Sequence, residues 1–163
     1  MALYLGSNEV STNNYTETMT DTVNHLLEVQ NTYGKLTSST AITLTTSPQT
    51  IPLSNFVGEG VTYSSNGIRI DTEGLYQIWG QVYLTDGYTA NDIVHARLYS
   101  NTTSIAESLL RLNVANYYST IIISPIIVQR NSDDLITLQV YNQSGARGNT
   151  GGGTTSLYVK RIG

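Results

Sequence analysis

The sequence predicts an all-β protein, an antiparallel sandwich or jelly roll of about ten short strands with one helix ahead of it. Three observations predict this. From Ser38 onward, short segments rich in Val, Ile, Thr and Tyr alternate with Gly, Asn, Ser and Asp turns. The stretch EGLYQIWGQVYL at 73–84 alternates with period two, which puts Tyr76, Ile78, Gly80, Val82 and Leu84 on one apolar face. Charged residues make up only 12% of the chain, so Thr, Ser, Asn and Gln must supply the polar surface, a composition suited to strands.

The elements follow in order. Leu3, Tyr4 and Leu5 form a small strand or an anchoring peptide. Residues 15–33 are the one good helix candidate, with Asn14 and Glu17 spaced as a capping box and Gly34 as the stop. Met19, Val23, Leu26 and Tyr33 fall at spacings of four and three if Gln30 takes the vacant position, which makes a short heptad seam. The same spacing also suits one amphipathic helix packed on its own domain. Residues 1–37 thus read as anchor and helix, with a three-helix bundle as one option, and 38–163 as the head. Strands are expected near 40–46, 49–53, 60–64, 67–71, 75–84, 92–100, 104–112, 117–128, 134–142 and 154–162. The glycine-rich run 144–153 reads as a mobile loop.

Length and charge narrow the function classes. A chain of 163 residues suits one domain with a sizeable core. The net charge of −4, with no basic stripe, argues against nucleic acid as a partner. No cysteine is present, so thiol catalysis and disulfide scaffolds are excluded. The opening MALYLGSNEV lacks a secretory pattern, and the apolar run 121–128 is too short to span a bilayer and contains a proline, so no membrane association is expected. His25 and His95 show no metal or triad spacing, and no cofactor, metal site or catalytic residue is expected. Glu59, Glu73, Asp133 and Asp134 read as turn residues rather than a glycosidase pair or a calcium site. Tyr88, Tyr117 and Tyr118, beside several Asn residues, are candidate ligand loops, although ordinary β-rich composition also accounts for them.

Two strands pose a further question. In the first, Leu75, Gln77, Trp79, Gln81 and Tyr83 form a second face that is neither plainly solvated nor plainly core. In the second, strict alternation sets Ile121 and Ile123 against Ile122, Ile126 and Val128, apolar on both sides. Water is a poor cover for such faces, and the economical cover is another copy of the chain.

The stretch EGLYQIWGQVYL resembles the central strand of the tumour-necrosis-factor and complement globular-head superfamily, in the order Gly, any, Tyr, any, apolar, aromatic, any, then Gln-Val. The upstream IRI at 68–70 fits the same pattern. Downstream, IISPIIVQRNSDDLITLQV at 122–140 is similar to that family's two late strands, with Ser132, Asp133, Asp134 and Leu135 where the usual turn has a Gly. The resemblance covers roughly residues 38–163. It implies a ten-strand jelly roll in a tight three-fold homotrimer. In that arrangement Tyr76, Ile78 and Val82 are core, and Gln77, Trp79 and Gln81 face the trimer axis. By their shared faces, Leu75, Tyr83, Ile121 and Ile123 join the interface, and Ile122, Ile126 and Val128 join the core.

MALYLGSNEV is also similar to the opening of many phage structural proteins. The expected function is therefore a non-enzymatic, trimeric phage head fibre or capsid decoration protein on the virion surface. It would be held to the capsid or another virion protein by its N-terminal segment, with a head that adsorbs to host or mucosal glycans. A tail receptor-binding tip and a secreted bacterial lectin-like adhesin are the alternatives, and a carbohydrate-active enzyme is a more distant one.

Overall fold

The computed structural model describes residues 3–5, 8–10, 12–115 and 118–163. Short strands β1 (Leu3–Leu5) and β2 (Asn8–Val10) pair antiparallel. Helix α1 (Thr12–Asn31) follows. It begins before Asn14, so Asn14 lies within the helix and not at its cap.

The helix ends earlier than its apolar spacing suggests. Thr32 donates its hydroxyl to the Glu28 carbonyl at 2.7 Å, and Tyr33 already belongs to a strand, β3 (Tyr33–Ser38). Tyr33 therefore leaves the expected helix seam. Gly34 is not a helix stop either. It sits in β3, where an added Cβ would lie 2.7 Å from the Val61 Cγ2 and 3.2 Å from the Ile68 Cδ1. The head sheet thus reaches back to Tyr33 rather than starting at Ser38.

Two antiparallel sheets pack face to face. One has the order β11 (Ser119–Arg130), β8 (Gly74–Leu84), β13 (Ser156–Arg161), β3 and β5 (Leu53–Glu59). The other has the order β10 (Thr103–Arg111), β9 (Ile93–Ser100), β12 (Leu135–Asn142), β7 (Gly67–Ile70) and β6 (Val61–Ser64), with the short β4 (Gln49–Thr50) beside β12. The expected strand at 40–46 is reduced to an isolated bridge between Thr43 and Asn149. Leu36, Tyr76, Ile78, Val82, Leu157 and Val159 from the first sheet meet Ile68, Val94, Leu98, Ile136, Leu138 and Val140 from the second, all buried.

Strand β11 corrects the alternation read from the sequence. Ile121, Ile122 and Ile123 pair with Val82, Gln81 and Gly80, but Ile126 pairs with Ile78, so the register shifts across Ser124 and Pro125. A bulge adds a residue and inverts the parity beyond it. Ile121 and Ile123 therefore point into the core at 2% exposure each, while Ile122, expected inside, is 62% exposed. Beyond the bulge, Ile126 and Val128 pack against the core, and Ile127 is exposed.

Turns carry the polar residues. Ser65 and Asn66, both with positive φ, join β6 to β7 in the way a two-residue hairpin requires. Asp133, at φ 70°, takes the left-handed position in the turn where the resembled family has a Gly. Asp134 accepts the Asn131 amide at 3.1 Å and the Asn101 side-chain amide at 2.8 Å.

The glycine-rich run is held at many points, contrary to its composition. Leu44 N donates to Gly148 O, Thr85 N to Asn149 O, Gly151 N to Tyr83 O and Gly153 N to Ser38 O. Its main anchor is Asp92, fully buried just ahead of β9. Asp92 accepts two bonds from Arg147 (3.0 and 2.6 Å), the Thr89 amide and hydroxyl, and the Asn142 side-chain amide.

Burial alone would push the Asp92 carboxyl up. The Arg147, Thr89 and Asn142 hydrogen bonds outweigh that and hold it below the ordinary carboxylate range. A carboxyl depressed in this way adds stability that is fully present above its unfolded value of about 3.9 and is lost as pH falls through the lower folded value. Asp92→Asn should therefore flatten the pH dependence of stability in that acidic window, measured by denaturant titration. Asp92→Ala should lower stability at neutral pH by about 3 kcal/mol, the scale of hydrogen bonds to a buried charge.

Candidate functional site

The two outer sheet faces differ in chemistry. On the β10–β9–β12 side the central side chains are polar and mutually engaged. Arg97 pairs with Glu107 at 3.0 Å and donates to the Tyr141 hydroxyl at 2.8 Å. His95 stacks on Tyr141 with ring centroids 4.6 Å apart. One ring nitrogen of His95 contacts Glu107 and the other faces the Gln143 side-chain oxygen at 2.8 Å. The fold thus joins a histidine and a carboxylate that are twelve residues apart in sequence, but both ring nitrogens are already engaged and the ring is largely covered.

The outer face of the five-stranded sheet is different. Register sets Trp79, Tyr158, Lys35 and Val57 in one row across four strands. The next row toward the helix runs Ile127, Gln77, Lys160, Tyr33 and Glu59. The row on the other side begins Ile122, Gln81. Trp79 stacks flat on Tyr158, with centroids 4.9 Å apart and planes 1° from parallel. The Lys35 Nζ lies 5.3 Å from the Tyr158 ring centroid, a cation–π contact. The Gln81 side-chain amide donates to the Thr154 carbonyl at 2.7 Å. A shallow hollow of about 370 Å³ opens over this centre, lined by Tyr33, Lys35, Val57, Trp79, Tyr158 and Lys160.

Much of this face is open to water in the single chain. Val57 is 61% exposed, Ile122 62% and Ile127 63%. Leu75 and Tyr33 are exposed too, while Gln77, Trp79, Gln81 and Tyr83 are half-buried. The expected interface residues on β8 therefore share one face with one another. Ile121 and Ile123 do not join them, and Ile122 and Ile127 take that place. Alternation in SLYVKR predicts that Tyr158 and Lys160 share a face, and it was the signal that could have added them.

The helix continues the exposed apolar surface. Every side chain from Met19 to Glu28 is exposed, including Val23, Leu26 and Leu27, so over this stretch the helix does not pack its apolar side on its own head. Its end is nevertheless fixed. Arg161, almost buried, donates its amide to the Thr32 carbonyl at 2.9 Å and its guanidinium to the Glu73 carbonyl at 3.0 Å, with Glu28 4.0 Å away.

The candidate ligand tyrosines separate. Tyr88 is 2% exposed and bonds through its hydroxyl to the Asn149 carbonyl at 2.9 Å, so it is a packing residue. Burial, then the nearby Asp92 and Asp86 charges, pushes its phenol up. Tyr118 is 60% exposed, and Tyr117 lies outside the described residues. Among the described residues, no cluster of three metal-ligating side chains occurs, and no helix is long and apolar enough to cross a membrane.

No known protein-family model matches the chain, and no curated protein matches it. Solved structures do. Murine APRIL at pH 5.0 superposes with a TM-score of 0.59 at 13% identity, over 80% of this chain and 98% of that one. Its structures at pH 8.0 and 8.5 give 0.57 and 0.56, at 13% and 14% identity with the same coverage. At such identity the likeness establishes the fold: this chain is an all-β sandwich of the tumour-necrosis-factor-like jelly-roll type.

Proposed function

We propose that the chain is a non-enzymatic, homotrimeric binding protein of a virus particle, a phage head fibre or capsid decoration protein. The observation that carries the assembly part is the outer face of the five-stranded sheet, where Trp79, Tyr158 and Val57 form an apolar centre between exposed Ile122 and Ile127. Large exposed apolar surfaces of this kind mark association sites. Aromatics at the centre, with charged Glu59 on the edge strand β5, match the anatomy of a protein interface, and Lys35 and Lys160 lie beside the rings. The jelly-roll likeness supports the same reading, since the resembled superfamily assembles through the corresponding central strand. The N-terminal segment is assigned to the capsid or another virion protein, in line with its similarity to the openings of phage structural proteins. The head loops are assigned to glycan adsorption at the host or mucosal surface.

Two measurements test this reading. Light scattering at micromolar concentration should give three times the 17.8 kDa chain mass, and a monomer mass would sink the assembly. Fluorescence from Trp79, the only tryptophan, should be blue-shifted and poorly quenched by iodide, and a red, readily quenched signal would place the face in solvent. Immunogold labelling of purified particles tests the virion assignment, and its absence from capsids and tails alike removes it. A glycan array tests adsorption.

A further inference from the structure

We infer that α1 forms a parallel three-helix bundle with the helices of two sister copies, a stalk coaxial with the head. This rests on the trimer reading above. The helix carries an apolar stripe that its own head leaves uncovered: Met19, Val23 and Leu26 are all about half exposed. Their spacing of four and three sets Val23 at an a position and Met19 and Leu26 at d positions of a heptad.

Charge placement favours a second copy as the occupant over an unrelated protein. The helix has no Lys or Arg. A homotypic bundle tolerates this only if its like charges stay apart. Glu17 falls at b, Asp21 and Glu28 at f, and His25 at c, all on the side away from the seam. The flanking e and g positions hold Thr20, Leu27, Thr22 and Val29, none of them charged. Val at a with Leu at d would by itself suit two strands, but apolar Leu27 and Val29 beside the seam widen the stripe for a third.

Continuity is the second support. The helix passes through one residue, Thr32, into β3, whose Tyr33 and Lys35 lie on the assembly face. The Arg161 bonds to Thr32 and Glu73, with Glu28 beside them, fix how the chain leaves the head. Three heads joined through that face send three helices out of one end in the same direction. At about 1.5 Å per residue the helix is roughly 30 Å long, so the β1–β2 segment lies well away from the head.

The chain has no cysteine, so single cysteines report cleanly in the full-length protein. Under mild oxidation, Leu26→Cys is expected to form intermolecular disulfides about tenfold faster than Asp21→Cys, because only the seam brings two Cα atoms within roughly 7 Å. Val23→Asp should remove much of the helical circular dichroism while the protein keeps its trimer mass. A trimer in which both cysteines cross-link slowly and alike, with the helical signal unchanged in Val23→Asp, overturns the bundle and leaves the head trimer standing. A monomer mass for the unmodified protein overturns both.

Discussion

A chain trimmed to begin at Thr32 should fold into the same sandwich, and one trimmed to begin at Ser38 should be unfolded or insoluble. β3 lies inside the five-stranded sheet, paired with β13 on one side and β5 on the other. Without it, β5 loses its only partner in that order, and Leu53 and Phe56 lose the backbone that holds them against the core. Leu36 is fully buried, and losing a side chain like it costs about 2–5 kcal/mol before any ladder bond is counted. Small domains hold only about 5–15 kcal/mol in all. The strand-rich circular dichroism signal and a cooperative thermal transition should therefore survive the first truncation and vanish in the second. A cooperative, soluble protein starting at Ser38 would show that β3 is dispensable. Failure of the protein starting at Thr32 would show that the helix is required for folding.

Trp79→Ala should dissociate the proposed trimer while leaving each head folded. The side chains that Trp79 alternates with, Tyr76, Ile78 and Val82, are buried between the sheets and do not depend on it. In one chain the indole is covered on one side by Tyr158 and half-buried overall. Assembly would cover the rest, so truncation should cost about 3–5 kcal/mol per copy, the scale of a core aromatic, and all three copies feel it. Trp79→Phe should retain much of the trimer because a flat ring still stacks on Tyr158. Mass measurement across a dilution series, with a thermal melt in parallel, reads out both effects. If Trp79→Ala stays trimeric with unchanged stability, the seam lies elsewhere.

The sequence made strand β8 legible because nothing interrupts its alternation from Leu75 to Leu84, and the burial pattern follows residue by residue. β11 was half legible. Its composition marks a strand with two apolar faces, but a bulge is a backbone event, and the residue types of Ser124 and Pro125 do not state which side gains the extra residue. Tyr33 falls in phase with the helix stripe, and its strand pairing to Lys160 and Glu59 comes from residues far along the chain. Tyr88 and the glycine-rich run depart from their local composition for a related reason. Local composition says loop, whereas the Asp92–Arg147 pair that pins the run is made across 55 residues. The Trp79–Tyr158 stack joins two strands distant in sequence, so only the register of β13 on β8 could reveal it.

The Ser124–Pro125 bulge also bears on what the heads do when crowded. β11 is the outermost strand of its sheet, and an outermost strand offers a row of backbone groups on which a foreign strand can crystallise. Proline has no amide hydrogen to offer, and a bulge breaks the even spacing such growth needs. Sheet-to-sheet polymerisation is thus interrupted midway along that border, between the greasy Ile122 and Ile127. Heads brought side by side at high concentration can then remain discrete knobs instead of fusing into amyloid-like ribbons.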